Sequence, residues 1–288
     1  MRHAVLGAGG IGALLAAALA RAGGDVLLLL RRDALADYPG RLTVESAVLG
    51  DFEVAVPAVS ALEREVDTLW VATKATQLVP ALDLAPPERV GSATVIPLLN
   101  GVDHVALLRE RYARVVAGTI TVESERSSPG HVRQSSPFLR VGLAGAAATV
   151  ADLTSAGIDC RLCDDELSLL WEKLAFLAPA ALATTALDGT LGEVRDDERF
   201  AACRLEAVAV ARAEGAAVDA AAIRSLHAAA PAATRSSMQK DVEAGREPEL
   251  DAIAGPIRRG GARHGIAVPG TLALARLVEA RTAGSSPG

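Results

Sequence analysis

The sequence predicts an α/β fold in which a doubly wound parallel sheet is followed by an all-α domain. Short apolar runs suited to buried strands recur through the N-terminal half. A glycine-rich turn separates the first of these runs from a helical stretch. From about Asp164 onward the strand patterns cease and long alanine- and leucine-rich helical stretches follow. We therefore expect two domains, residues 1–163 and residues 164–288.

The first element is a strand that leads into a tight turn and a helix. His3–Leu6 is a short apolar run, and Gly7, Gly9 and Gly12 follow at G-x-G-x-x-G spacing. The first glycine permits the turn, the second lets the backbone approach a pyrophosphate, and the third lets the helix lie close to the strand. Backbone N–H groups at the helix N-terminus attract phosphates. A Rossmann-type dinucleotide site is therefore predicted at Gly7, Ala8, Gly9, Gly10, Ile11 and Gly12.

The second apolar run, Val26–Leu30, ends in two arginines. In dinucleotide-binding folds this strand end meets the adenosine ribose, where an acid suits a free 2′-hydroxyl and an arginine suits a 2′-phosphate. Arg31 and Arg32 favour NADPH over NADH, because a guanidinium presents a planar fork of donors to phosphate. Asp33 follows directly and keeps NAD(H) open as the alternative.

Later strands are predicted from period-two alternation and from short apolar runs. They cover residues 42–45, 52–56, 69–72, 93–99 and 115–122, and residues 130–132 are expected to form a hairpin with 139–142. Lys74 and Asn100 follow two of these strands, at the sheet edge where open α/β sheets bind ligands. We expect Lys74 to contact cofactor or substrate, and Asn100 to bond a nicotinamide-side group and a substrate hydroxyl. His131 is expected to be a packing residue.

The first helix of the second domain carries a lysine on an apolar face. At helical spacing Lys173 shares this face with Leu169, Leu170, Phe176 and Leu177. Burying an unpaired ammonium ion is costly, so a lysine in this position needs a reason. Snorkelling along the helix is the structural explanation. The functional explanation is an ammonium that faces a cleft between the domains, where partial desolvation lowers its pKa toward the range useful for proton donation.

The remaining pattern is helical. Helices are predicted over residues 200–215, 216–230 and 272–280, with shorter helices beginning near 234 and 248, and residues 285–288 are expected to fray. Pro248 is predicted in the first turn of its helix, and Glu249 beside it could serve only as a partner of the helix dipole. Gly265 and Pro269 are expected to end that helix.

The composition limits the class of protein. Half of the 288 residues are apolar and 22% are charged, which is typical of a soluble globular chain. A net charge of −6 without a basic run argues against a nucleic-acid partner. Cys160 and Cys163 form a C-x-x-C without a second pair or a suitably spaced histidine, so we expect no metal. The longest apolar run, Leu174–Leu187, contains Pro179 and is too short to span a bilayer. With a first strand beginning at His3 there is no room for a signal peptide, and a cytoplasmic protein is expected.

Seven ordered motifs along nearly the whole chain resemble the ketopantoate (2-dehydropantoate 2-) reductases. They are Gly7-x-Gly9-x-x-Gly12, Thr73-Lys74-Ala75-x-Gln77, Asn100-Gly101, Trp171-x-Lys173-Leu174-Ala175, Arg235-Ser236-Ser237-Met238-x-x-Asp241, Glu249-x-Asp251 and Arg263-His264-Gly265-Ile266-Ala267-Val268-Pro269. Seven motifs in family-like order are far more specific than any one alone.

The resemblance implies an enzyme that reduces 2-dehydropantoate to (R)-pantoate with NADPH, in pantothenate biosynthesis. By resemblance Lys173 is the general acid and Glu249 holds a substrate hydroxyl. Asn100 touches nicotinamide and substrate, and Lys74 lies where cofactor and substrate meet. Ser237 meets the substrate carboxylate. Arg31 corresponds to the arginine on the 2′-phosphate.

One departure from the family leaves the substrate open. Leu177 and Ala181 stand where the family usually has asparagines that hold polar groups of the substrate. A 2-oxo acid with a more apolar side chain is therefore the alternative substrate. Two other functions also remain: a non-catalytic NADP(H)-binding protein with a decayed substrate pocket, and a dehydrogenase of 3-hydroxy acids. The alanine-rich helices are compatible with a homodimer and equally with internal packing.

Overall fold

The computed structural model describes residues 1–284, which form twelve strands and thirteen α-helices. The strands are β1 Arg2–Leu6, β2 Asp25–Leu29, β3 Arg41–Ser46, β4 Phe52–Ala55, β5 Ala58–Val59, β6 Thr68–Val71, β7 Thr94–Pro97, β8 Gly118–Thr121, β9 Ser124–Ser128, β10 His131–Gln134, β11 Arg140–Leu143 and β12 Asp159–Leu162. The helices are α1 Gly10–Arg21, α2 Arg32–Ala36, α3 Leu78–Ala81, α4 Pro87–Val90, α5 His104–Arg111, α6 Ala147–Ser155, α7 Glu166–Leu187, α8 Leu191–Val194, α9 Glu198–Ala213, α10 Ala220–Ala229, α11 Ser237–Glu243, α12 Leu250–His264 and α13 Pro269–Gly284. The predicted fraying of residues 285–288 lies outside the described residues.

The N-terminal sheet confirms the predicted fold class. Its five strands are all parallel, in the order β5-β2-β1-β6-β7. The strand order reverses at β1, because the chain first goes to β2 on one side and later to β6 on the other. Ligands of open α/β sheets bind at such a switch point, outside the carboxyl ends of the strands. The register pairs Leu6 with Val71, so the loops after β1 and β6 leave the sheet side by side.

Two smaller sheets complete this part of the chain and correct one prediction. The predicted hairpin between residues 130–132 and 139–142 is wrong: β10 pairs with β9 and β3, whereas β11 pairs with β8 and β12. The chain changes sheets at Gln134, whose side-chain amide donates to the backbone oxygen and the hydroxyl of Ser136. The polar strand β9 was missed because four of its five side chains are exposed and carry no apolar alternation.

The helical part packs around α7, α9, α12 and α13. Twelve residues of α7 are buried, and α7 is also long and apolar enough by composition to cross a membrane. Core helices of soluble proteins meet the same criterion, and 61% of the qualifying window is buried inside the structure. On α9 the buried Glu206 accepts hydrogen bonds from the backbone N–H groups of Gly270 and Thr271, each at 2.7 Å. This carboxylate caps the start of α13.

The chain divides into two compact units. Unit 1 comprises Met1–Leu99 and His104–Glu166. Unit 2 comprises Asn100–Asp103 and the chain from Leu167 onward, which the structure describes as far as residue 284. Relative to the predicted division after residue 163, residues 164–166 fall in unit 1 and 100–103 in unit 2. Glu166 joins unit 1 because Arg109 donates to its two carboxylate oxygens at 2.8 and 2.6 Å.

Several helix ends in unit 2 differ from the sequence prediction: α10 and α11 begin at Ala220 and Ser237, three to four residues later than predicted. Gly265 closes α12 in the left-handed conformation, at φ 66°, as glycine at this position is expected to do. Pro248 precedes Glu249, which is the N-cap of α12, so the prediction of Pro248 in the first turn is wrong. Pro269 is the first residue of α13, where its fixed φ suits the first helical turn.

Candidate functional site

The glycine-rich loop of unit 1 is shaped by two close backbone contacts. Gly7 has φ +95°, and a Cβ there would lie 3.1 Å from Cγ2 of Thr73 and 3.2 Å from the carbonyl oxygen of Ala72. A Cβ on Gly12 would lie 1.9 Å from the carbonyl oxygen of Gly7. Both glycines are therefore required by the fold, because any side chain would push α1 or the loop away from the sheet.

Gly9 differs, because the protein does not fill the space beside it. It is the N-cap of α1 with extended backbone, and no protein atom of the described chain lies within 4 Å of where its Cβ would be. Its helix start has no side-chain cap. Nearby, the buried hydroxyl of Thr73 has no hydrogen-bond partner among the described residues. Uncapped N–H groups, open space and an unsatisfied hydroxyl together fit the phosphates of a bound dinucleotide.

The other loop residues support this shape. A Cβ on Gly10 would lie 2.4 Å from the carbonyl oxygen of Ser124, and the hydroxyl of Ser124 donates to the carbonyl of Gly10 at 2.9 Å. The loop is thus held against β9. Ala8 and Ile11 are half-buried and pack against the core of unit 1.

The two arginines after β2 are exposed. Arg31 is the N-cap of α2 and lies 3.7 Å from Asp33 through Nη2 and Oδ2, while Arg32 is the first residue of that helix. The side chains of Arg31 and Asp33 are 60% and 72% exposed. An exposed ion pair at this distance is weak, so Asp33 does not prevent Arg31 from binding a ligand. Lys74 is half-buried just after Thr73, at the carboxyl end of β6.

In unit 2 a lysine, a carboxylate and an amide come together. Lys173 is half-buried on α7, with Leu169 and Leu170 buried beside it. Burial lowers the pKa of Lys173 to about 8, and the negative charge of Glu249 acts in the opposite direction. The ammonium form is therefore the main form at neutral pH, yet it releases its proton more readily than an exposed lysine does.

Glu249 is placed by two features of unit 2. It is the buried N-cap residue of α12, where the helix dipole favours negative charge. Nδ2 of Asn100 donates to Oε2 of Glu249 at 3.2 Å. Asn100 thereby holds the carboxylate whose charge acts on Lys173.

Ser237 directly follows a serine that belongs to a cluster of hydroxyl groups. Ser237 is exposed at the start of α11, whereas the preceding Ser236 caps this helix by accepting from the N–H of Gln239 at 3.1 Å. Thr184 on α7 donates to Ser236 at 2.8 Å, and Thr185 lies 3.4 Å from the same hydroxyl. Sequence reasoning missed this hydroxyl cluster. The S-x-x-Q spacing of Ser236 and Gln239 is the pattern that could have identified the cap.

Among residues 1–284, no group of three or more cysteine, histidine, aspartate or glutamate side chains is arranged so that it could hold a metal ion. Burial raises the pKa of Cys160 to about 11, so this thiol is protonated at neutral pH. His131 is exposed on β10.

A Rossmann unit with an open glycine loop, followed by a helical unit with a desolvated lysine, is the arrangement of a nucleotide-dependent oxidoreductase. Residues 3–142 match the family described as Ketopantoate reductase PanE/ApbA, and residues 166–282 match Ketopantoate reductase PanE/ApbA C terminal. A 2-dehydropantoate 2-reductase of Caulobacter vibrioides is 33% identical over 292 residues, covering 96% of this chain and 98% of that protein. The chain belongs to the ketopantoate reductase family.

Solved structures agree with this assignment. A PanE/ApbA family ketopantoate reductase from Ralstonia eutropha JMP134 has a TM-score of 0.87 at 29% identity, covering 99% of both chains. A D-mandelate dehydrogenase, solved with NADH and anilino(oxo)acetate, has a TM-score of 0.88 at 23% identity and covers 99% of each chain. The second likeness shows a shared fold.

The two kinds of glycine can be separated by alanine substitution. We expect Gly9→Ala to fold like the wild type, because its extended backbone and open surroundings accept a Cβ. It should raise the Kd for a nicotinamide dinucleotide, with NADPH as the probe, at least about tenfold by blocking the approach of a phosphate. Gly12→Ala is expected to lower the melting temperature, because its Cβ meets the carbonyl of Gly7. Thermal unfolding and NADPH fluorescence titration measure the two effects. Unchanged NADPH affinity in Gly9→Ala would contradict the proposed place of the phosphates.

Proposed function

We propose that this chain reduces 2-dehydropantoate to (R)-pantoate with NADPH, as a cytoplasmic enzyme of pantothenate biosynthesis that acts on a small 2-oxo acid. The proposal is carried by one observation: in a member of the ketopantoate reductase family, a half-buried lysine with a lowered pKa lies in the field of a carboxylate. Association as a homodimer stays a prediction.

The side chains of unit 2 have complementary roles in this proposal. When bound, the nicotinamide cofactor supplies the hydride to the 2-oxo carbon. Negative charge then develops on the carbonyl oxygen, and the ammonium of Lys173 stabilises this oxygen and donates a proton to it. Glu249 holds the distal hydroxyl of the substrate, and Asn100 fixes Glu249. Ser237 is the proposed partner of the substrate carboxylate.

Cofactor binding is assigned to unit 1 together with Asn100. The proposed residues are Gly7, Ala8, Gly9, Gly10, Ile11, Gly12, Arg31, Arg32, Lys74 and Asn100. Exposed arginines at the end of β2 support the choice of NADPH, because a 2′-phosphate is recognised best by guanidinium groups. Lys74 is proposed to lie where cofactor and substrate meet.

A second substrate class is favoured by the face of α7 that continues from Lys173. One turn further is Leu177, which is half-buried, and Ala181 beyond it is 1% exposed and packed in the core of unit 2. Leu177 cannot donate a hydrogen bond, so its partly exposed side chain suits an apolar substrate group, whereas Ala181 is enclosed by the core. The alternative function is therefore reduction of a small 2-oxo acid with an apolar side chain.

Replacement of Lys173 tests the reaction. We expect Lys173→Met to lower kcat for 2-oxo acid reduction by about 10²- to 10⁴-fold, because it removes the general acid. For the wild type, kcat/KM, which reports the pKa values of the free enzyme, should be nearly constant at neutral pH and fall above pH 8, where Lys173 loses its proton. In Glu249→Gln the fall should begin at lower pH, because the charge that raises the pKa of Lys173 is removed. NADPH absorbance is followed with 2-dehydropantoate and with a panel of branched and aromatic 2-oxo acids.

The matched control for Lys173→Met is Lys240→Met, which removes an exposed lysine on α11 of the same unit. This variant should keep wild-type kcat. A Lys173→Met enzyme with nearly full turnover would remove this residue from the chemistry. Absence of turnover with the entire panel, in a wild type that binds NADPH, would contradict the proposed function and favour the two other functions, a non-catalytic NADP(H)-binding protein or a dehydrogenase of 3-hydroxy acids.

The cofactor assignment is tested at Arg31. Arg31→Ala is expected to raise KM for NADPH about tenfold or more, since a hydrogen bond to a charged group contributes about 1.5 to 3 kcal/mol, and to leave KM for NADH unchanged. Arg140→Ala is the control, because Arg140 is 66% exposed and lies 3.4 Å from Asp159 in a similarly exposed pair. Steady-state kinetics with both nucleotides give the comparison. A wild-type preference for NADH that persists in Arg31→Ala would overturn the assignment of NADPH and favour NAD(H), the alternative that Asp33 keeps open.

A further inference from the structure

We propose that Arg259 is a positioning residue of the active site, which acts by fastening the segment Asn100–Asp103 to helix α12 and so holds Asn100 against Glu249. We call this four-residue segment the strap. The inference rests on the proposed function, because it concerns the site that contains Glu249 and Lys173.

All four residues of the strap are attached to other parts of unit 2. Asn100 donates to Glu249, and Val102 packs against the apolar core. Gly101 has φ +87°, and a Cβ there would lie 2.3 Å from the carbonyl oxygen of Ala252. The strap backbone therefore lies directly on the first turn of α12. Its last residue, Asp103, accepts from Nη2 of Arg259 at 2.6 Å.

Arg259 bridges the strap to the start of its own helix. Nη1 of Arg259 donates to Oδ1 of Asp251 at 2.8 Å while Nη2 binds Asp103. Asp251 lies two turns before Arg259 and two residues after Glu249. A guanidinium that binds two carboxylates at once fixes both in direction as well as in distance. The end of the strap is thus tied to the turn of α12 that carries Glu249.

Helix α12 has a gap for this guanidinium. A Cβ on Gly255 would lie 2.3 Å from Nη2 of Arg259 and 2.5 Å from Oδ1 of Asp251. The guanidinium of Arg259 therefore packs against Gly255 and contacts Asp251 from there. Glycine is among the least favourable residues in a helix interior, so its presence here needs a structural reason. Clearance for Arg259 supplies that reason.

The consequence for the site follows from the order of these contacts. Asn100 and Asp103 are the two ends of the strap, and both are bound to the N-terminal half of α12. If Arg259 releases Asp103, the strap is held at only one end by a side-chain contact, and the amide of Asn100 gains freedom relative to Glu249. Small displacements of groups that orient a substrate lower the rate even when they lie away from the reacting atoms.

Three single variants of the full-length chain test the inference. Arg259→Gln removes the charge that joins Asp103 and Asp251. Gly255→Ala keeps every charge and displaces the side-chain ends of Arg259 and Asp251, and it is expected to fold well because alanine favours the helix. Arg258→Gln is the matched control, since Arg258 is an exposed neighbour on the same helix. Hydrogen–deuterium exchange of residues 100–103 and steady-state kinetics are measured for each.

We expect Arg259→Gln and Gly255→Ala to speed amide exchange of the strap and to raise KM for the 2-oxo acid, each by about three- to fivefold, the size expected for exposed ion pairs in a network. Neither the amide exchange of the strap nor KM for the 2-oxo acid should change in Arg258→Gln. In an Asn100→Ala background Arg259→Gln should cost nothing further, because Arg259 acts through Asn100. A merely stabilising ion pair would give losses that multiply in the double variant.

The inference is overturned if Arg259→Gln and Gly255→Ala match Arg258→Gln in exchange and kinetics, or if the losses multiply in the double variant. A wild type without activity toward any 2-oxo acid refutes the proposed function separately. In that case strap exchange alone decides: faster exchange in Arg259→Gln and Gly255→Ala supports the strap, and unchanged exchange rejects it.

Discussion

The desolvation of one ammonium group is the constraint on which the proposed chemistry of unit 2 depends. An amine among apolar side chains loses hydration that an exposed lysine keeps, and this loss lowers the pKa of Lys173 to about 8. Without a compensating charge the pKa would fall further, and less of the group would be in the ammonium form that serves as an acid. Glu249 supplies that charge. The N-terminus of α12 and the amide of Asn100 in turn favour a charged, fixed carboxylate.

Features encoded by short sequence spacing could be predicted. The G-x-G-x-x-G loop follows from local rules, because Gly7 needs a positive φ and Gly12 needs the absence of a side chain. Helical periodicity identified Lys173 as a polar exception on an apolar face, and Gly265 identified the end of α12. The parallel sheet and the helical second part follow from the same patterns. Membership of the ketopantoate reductase family rests instead on the resemblance of seven motifs, and the two family matches confirm it.

Features that join distant parts of the chain could not be predicted in this way. The strands at residues 131 and 140 are close in sequence, yet they belong to different sheets, and no local pattern specifies this. The polar bridge from Arg259 to Asp103 spans 156 positions. The sequence alone gives no reason for a glycine at position 255 inside a helix, because the reason is the guanidinium of Arg259 packed against it. Such contacts depend on tertiary packing, which propensity and periodicity do not describe.

The central claim is measured most directly by titrating Lys173 with NMR. The chain has three lysines, Lys74, Lys173 and Lys240, so protein with ¹³C-labelled lysine gives three side-chain signals, and Lys173→Met identifies the one of interest. The account predicts a midpoint near pH 8 for this signal, moving lower in Glu249→Gln. A midpoint of about 10.4, the value of a fully hydrated lysine, would contradict it.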